Sequence, residues 1–369
     1  MEQPSKFSKE AFALHKELQG KIEVVTKAYV NKNTLPLLYT PGVGDVAMHC
    51  AQHPEDTNTY TWRGKTIAVV SDGSAVLGLG DIGPEGALPV MEGKALLFRE
   101  YGGLSAVPVV LNAHTAEEIV AAVVAIAPSV GAINLEDIAA PKCFVVEKEL
   151  QKRLSIPVMH DDQHGTAVVV LAGLINAHKV AKKDISRSRI AVVGAGSAGN
   201  AIARLLAAYG AGDVVVVDSR GIISKNRNDL DAHKRALANI TNKEHRTGGV
   251  LEAVAGSDVV VGVSGPGSIL PEHVRMMAQK PIVFALANPT PEIDPEEALR
   301  AGAYVVATGR SDFPNQINNV LAFPGIFRGC YENGVTTITE QHKRAAAEAI
   351  AALVARPTRE RIVPSATDR

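Results

Sequence analysis

Residues 189–218 read RIAVVGAGSAGNAIARLLAAYGAGDVVVVD, and their reading decides the fold. An apolar run at 190–193 leads into Gly194-x-Gly196-x-x-Gly199. The pattern predicts a helix over 197–209 and a second strand over 214–217, ending in Asp218. Glycines at these places allow a tight turn and let the backbone approach a pyrophosphate at a helix N-terminus, with Ser197 and Ala198 in the same turn. Asp218 follows Gly199 by 19 residues, where a ribose hydroxyl partner belongs. A carboxylate there repels a 2′-phosphate and favours NAD; Arg220, two residues on, offers a clamp for NADP instead. A glycine-rich turn without a ligand is the bland alternative. Strand, turn, helix, strand and acid standing in register weigh against it.

Outward from this stretch, strands and helices alternate. Toward the N-terminus, TIAVVS, AVPVVLN, GAINLED and IPVMH read as strands between helical runs such as MEGKALLFREYG and TAEEIVAAVVAIAP. TAVVVLAGLINAHKVA reads as a long helix opening near 165–166, and LPLLYTPGVG as loop and turn. Toward the C-terminus, DVVVGVS, PIVFALANPT and YVVATG continue the strands. The tail is an Ala-rich helix with Thr339 as N-cap and a stop at Pro357. Short apolar runs alternating with helices predict parallel sheets in an α/β protein. The expected division is a catalytic and metal domain over 1–181, a doubly wound dinucleotide domain over 182–335 and a helical tail over 336–369.

The 369 residues are 46% hydrophobic and 21% charged, with a formal net charge of −1. That composition suits a globular chain and offers no basic face for nucleic acid or a membrane surface. The N-terminal stretch is polar and lacks a signal-peptide core, and three widely spaced cysteines suggest neither a disulfide framework nor a zinc site. A cytoplasmic protein is expected.

Two carboxylate pairs then stand out. Glu136 and Asp137 follow one predicted strand, and Asp161 and Asp162 follow the next. Strand C-terminal ends face the ligand crevice of an open α/β sheet, so side chains from neighbouring ends can converge there. Carboxylates with open positions for substrate and water suit Mg2+ or Mn2+. A single such pair is more often a cap or a solvated loop charge; two pairs beside a dinucleotide motif shift the balance. His160 and His164 have zinc-hydrolase spacing, but Asp161 stands where that motif needs Glu, and the predicted strand end keeps them off one helix face. Lys94 shares a helical face with Met91, Leu97 and Phe98, where burial would lower its pKa and make it a base. Tyr39 precedes a turn and offers a phenolic proton. Spacing alone assigns neither role.

Taken together, several stretches resemble the malic enzyme family in its compact bacterial form. They are YTPGVG (39–44), SDGSAVLGLGDIGPEGALPVMEGKALLF (71–98), INLEDIAAPKCF (133–144), HDDQHGTAVVVLAGL (160–174), VVGAGSAGNAIARLL (192–206), FALANPTPE (284–292) and ATGRSDFPNQINNVLAFPGIFRG (307–329). They cover nearly the whole chain in the family's order. The resemblance implies oxidative decarboxylation of (S)-malate to pyruvate with NAD or NADP and Mg2+ or Mn2+. It makes Tyr39 the general acid and Lys94 the general base. Glu136, Asp137 and Asp162 become the metal ligands, with Asp161 a supporting acid. Asn288, together with Asn318, Asn319 or both, would hold the substrate carboxylate, and Asn288 also borders the coenzyme. Larger members carry a substrate-gripping arginine in the segment matching DGSAVLGLGDIG; here Ser74 and Ala75 stand there, so another group must replace it. A homodimer or larger homo-oligomer is expected. The rival readings are a malolactic enzyme, a catalytically silent dinucleotide-binding regulator, and a zinc hydrolase built on His160 and His164.

Overall fold

The computed structural model describes residues 7–76 and 79–367. Residues 77 and 78, inside the 71–98 stretch, and the first six residues of the polar N-terminus lie outside it. The first sheet has β1 Thr66–Ser71, β2 Ser105–Val110, β3 Ala132–Leu135 and β4 Val158–His160, in the order β2-β1-β3-β4 and all parallel. The second has β5 Arg189–Val193, β6 Asp213–Asp218, β7 Gly221–Ile222, β8 Val259–Gly262, β9 Ile282–Ala285 and β10 Val305–Thr308. Its order is β10-β9-β8-β5-β6-β7, with only β7 antiparallel. The Val- and Ile-rich central strands are buried along their length, as covering on both faces demands. Four apolar clusters provide that covering, two for each sheet.

Strand order reverses between β1 and β3 in the first sheet and between β5 and β8 in the second. Each reversal opens a crevice at the strand C-terminal ends. The β3 crevice receives Glu136 and Asp137; the β5 crevice receives Gly194. At Gly194 (φ 117°) a Cβ would lie 2.4 Å from the Val263 carbonyl, and at Gly199 it would lie 1.9 Å from the Gly194 carbonyl. These two glycines let the Ser197–Tyr209 helix press onto the strand ends.

Three elements differ from the sequence reading. The 35–44 stretch is helical on both sides of a short turn, with helices Leu35–Leu38 and Gly42–Gln52, because Pro36 and Pro41 sit at positions that start helices. The long helix opens at Asp161, Asp161–Ala181, since its acidic first turn suits the helix dipole better than a start at Gly165. The C-terminal helix, Glu340–Ala352, is capped by Thr339 as expected but ends before Pro357. The Asp161–Ala181, Ser197–Tyr209 and Glu340–Ala352 helices share one core with the second sheet. The Phe323–Asn333 helix instead returns to the first sheet, where Phe98 meets Phe323 and Phe327 at ring-centroid distances of 4.7 and 5.4 Å.

Candidate active site

β3 and β4 are neighbours, so the residues that follow them meet. Oxygens of Glu136, Asp137 and Asp162 all lie within 4.8 Å of one another. Asp162 accepts the backbone N–H of Asp137 at 2.8 Å, and Asn134 donates to Glu136 at 2.9 Å. Asp137 is held at φ 53°, a left-handed conformation uncommon outside glycine and one that clusters at functional sites. Burial pushes Glu136 up to about 7, with Asp162 adding to the push against the pull of Lys94. Burial likewise raises Asp162 to about 6 and Asp161 to about 7.

The Gly83–Gly102 helix delivers Lys94 to this cluster with Met91 and Phe98 on its buried face. Its Nζ lies 2.8 Å from Glu136, 2.7 Å from Asp161 and 4.3 Å from the Phe323 ring centroid. Burial alone would lower the lysine pKa, as the sequence reading expected. The carboxylates of Asp161, Glu136 and Asp162 outweigh it and hold the ammonium well above its usual range. Asp161 also accepts from Asn319 Nδ2 at 2.6 Å, which joins the 318–319 pair to the lysine. Asn318 spends its Oδ1 capping the next turn through the Val320 N–H.

Lys94, Glu136, Asp137 and Asp162 line a cavity of about 860 Å3 with Ser197, Ala198, Asn288, Asn318 and Asn319, while Asp161 lies buried behind them. A second cavity, of about 700 Å3, is lined by Gly194, Gly196 and Asp218. Ser264 borders both, so they are adjacent. At Gly196 a Cβ would meet no protein atom within 4 Å, which leaves its backbone open toward the cavity. Gly199 serves the packing instead. The Asp218 carboxylate is already engaged. It accepts from Lys234 at 2.7 Å, from Arg227 at 2.8 and 3.3 Å, and from the Arg220 N–H at 2.9 Å. The Arg220 guanidinium turns to Asp229 instead, at 3.1 Å.

Tyr39 is not brought to these groups. It follows the Leu35–Leu38 helix, is 67% exposed, and lies outside both cavities. The histidines separate as well. His160 ends β4 and is buried, and burial lowers its pKa to about 4. His164 Nε2 lies 2.9 Å from Glu147, while Lys343 Nζ lies 3.0 Å from its Nδ1. An ammonium only donates, so Nδ1 accepts and Nε2–H donates to Glu147. Glu147 also accepts the His160 N–H at 2.9 Å, and so fastens the strand end that precedes Asp161. Sequence reasoning missed Glu147 and Asn134; Asn134 is marked by standing inside an apolar run, whereas Glu147 sits in a charged helix where nothing distinguishes it.

A parallel-sheet dinucleotide fold whose Gly-rich cavity adjoins a carboxylate–lysine cluster defines a coenzyme-dependent oxidoreductase. Residues 163–368 match the family description "Malic enzyme, NAD binding domain", and residues 19–151 match "Malic enzyme, N-terminal domain". The chain belongs to the malic enzyme family. It is 51% identical to the bifunctional malic/malolactic enzyme of Bacillus subtilis, over 94% of this chain and 85% of that protein. It is 45% identical to an NADP-dependent malic enzyme of Halomonas elongata, over 93% and 81%. The crystal structure of an NAD-dependent malic enzyme from Thermotoga maritima superposes with a TM-score of 0.94 at 50% identity, covering 97% of this chain and 95% of that one.

Proposed function

We propose that the protein oxidatively decarboxylates (S)-malate to pyruvate and CO2, reduces NAD or NADP, and also decarboxylates oxaloacetate. The observation that carries this reading is the buried Lys94 ammonium between Glu136 and Asp161, in a cavity adjoining the dinucleotide crevice. The donor set fits Mg2+ or Mn2+: three convergent carboxylates offer hard oxygen ligands, and the His164 ring is taken up by Glu147 and Lys343. Glu136, Asp137 and Asp162 would hold the ion. When bound, it supplies Lewis acidity toward the substrate's C2 oxygen and offsets the carboxylate charge that keeps Lys94 protonated.

The chain's own groups divide the remaining work. Lys94 takes the C2 hydroxyl proton as hydride passes from C2 to the nicotinamide. Asp161, fixed by Lys94 and Asn319, orients that amine. Asn288 and Asn318 direct amide groups at the substrate carboxylate. After CO2 leaves C4, a phenol returns a proton to C3, and Tyr39 is our candidate. We place it in the site of the partner subunit of a homodimer, since it is exposed and lies outside the cavity of its own chain. Bare apolar side chains along the same N-terminal segment support such an interface, with Phe12 at 78%, Val24 at 87% and Tyr29 at 92% exposure. No helix among the described residues is long and apolar enough to cross a membrane, and we place the enzyme in the cytoplasm.

Absorbance at the reduced-nicotinamide band tests the reading, with malate, Mn2+, and NAD or NADP supplied in turn. Malate- and metal-dependent growth of that band is expected, and its absence with both coenzymes sinks the proposal. The bifunctional relative makes malolactic turnover the rival. Lactate formed without free NADH would favour it.

A further inference from the structure

Malate is a dianion. One carboxylate belongs near the ion site, and the other needs a cation that the strand-end loop does not supply, since Ala75 lines the cavity there. Among the described residues lining this cavity, the cationic side chains are Lys21 and Lys94, with His15 beside them. Lys94 is committed to Glu136 and Asp161. His15 is exposed, and its Nδ1 donates to the Ala11 carbonyl of its own helix at 2.8 Å.

Lys21 differs from its neighbours in sequence. Residues 22–33 are exposed, whereas Gly20 and Lys21 are half-buried against the Gly83–Gly102 helix. The Lys21 N–H donates to Glu92 Oε2 at 3.2 Å, and its Nζ donates to the Pro89 carbonyl at 2.7 Å. A backbone carbonyl takes one of three ammonium protons and none of the charge. Burial pulls the lysine pKa below its usual value against the opposing effect of Glu92, so nearby anions leave the charge undercompensated. Pro89 and Lys94 are five residues apart on one helix, about 7.5 Å along its axis. Lys21, Pro89 and Lys94 all line the one cavity.

We infer that Lys21 grips the substrate carboxylate remote from the ion site, replacing the arginine that larger family members carry in the strand-end loop. A specificity group thus sits on the N-terminal segment, held in place by Pro89 and Glu92. The inference rests on the malate reading above.

The test compares Lys21→Ala and Lys21→Arg in the Mn2+-loaded holoenzyme. Lys21→Ala should raise KM for malate about tenfold or more while kcat changes far less, and Lys21→Arg should recover most of the loss. Calorimetric binding of oxalate, which chelates a metal but has no remote carboxylate, should be unchanged in Lys21→Ala, as should NAD affinity. A malate KM near wild type in Lys21→Ala overturns the inference, and so does an equal weakening of oxalate. Wild-type protein that fails to turn over malate instead overturns the functional reading beneath it.

Discussion

Asp162 has the plainest assignment in the site. Its carboxylate faces Glu136 and Asp137 and accepts the Asp137 N–H, so it both orders the cluster and contributes to it. Asp162→Ala should abolish Mn2+-dependent turnover and weaken Mn2+ binding, read by the free-ion spin-resonance signal. Wild-type Mn2+ affinity in that variant would remove Asp162 from the ligand set. Lys234 supports a second prediction. It borders the coenzyme cavity and rests on Asp218, so it can swing to a 2′-phosphate that approaches the same corner. Lys234→Ala should raise the Kd for NADP about tenfold and leave NAD little changed. Titration of both coenzymes decides it, and equal shifts would show that the lysine only neutralises Asp218.

Among the elements, the start of the Asp161–Ala181 helix is held from two sides. Glu147, on the Lys142–Arg153 helix, takes His160 N–H and His164, and Lys343 approaches His164 from the Glu340–Ala352 helix. Although burial pulls the other way, His164 and His160 hold Glu147 below the usual carboxylate range. Glu147→Ala should therefore cost about 3 kcal/mol of stability, because the His160 N–H, Gln163 and His164 all lose their acceptor. Chemical denaturation measures it, and a loss below 1 kcal/mol, roughly the worth of a surface pair, would show that water replaces the carboxylate. Gly199→Ala should likewise destabilise the second unit and impair coenzyme binding, since the new methyl meets the Gly194 carbonyl. The glycine spacing made this legible in advance. It predicted the Ser197–Tyr209 helix to the residue, and the strand ends predicted the carboxylate meeting. The reversed lysine pKa was not legible. It follows from the sum of three nearby charges, and sequence spacing carries no distances.

On the scale of the whole molecule, the described N-terminal segment is the part left largely uncovered. Its apolar side chains are bare, and Tyr39 stands away from the cavity it is proposed to serve. Mixing decides the point. Tyr39→Phe and Lys94→Ala proteins should each be nearly inactive. Dimers reassembled from equal parts should regain about a quarter of wild-type activity, because each mixed dimer holds one intact site. No recovery after verified subunit exchange would return Tyr39 to its own chain.

The backbone passes between the two sheets more than once. It crosses at the Asp161 turn, returns where Val320 and Phe323 join the first sheet's core, and leaves again through the Glu340–Ala352 helix. Neither half is therefore a continuous length of chain that can be excised. A fragment cut at 182–335 would carry away the helix that covers Phe98 and lose the Asp161–Ala181 and Glu340–Ala352 helices that share the second sheet's core. Heat should melt both halves in a single calorimetric step, and the cleft between them is the seam where the fold closes on itself.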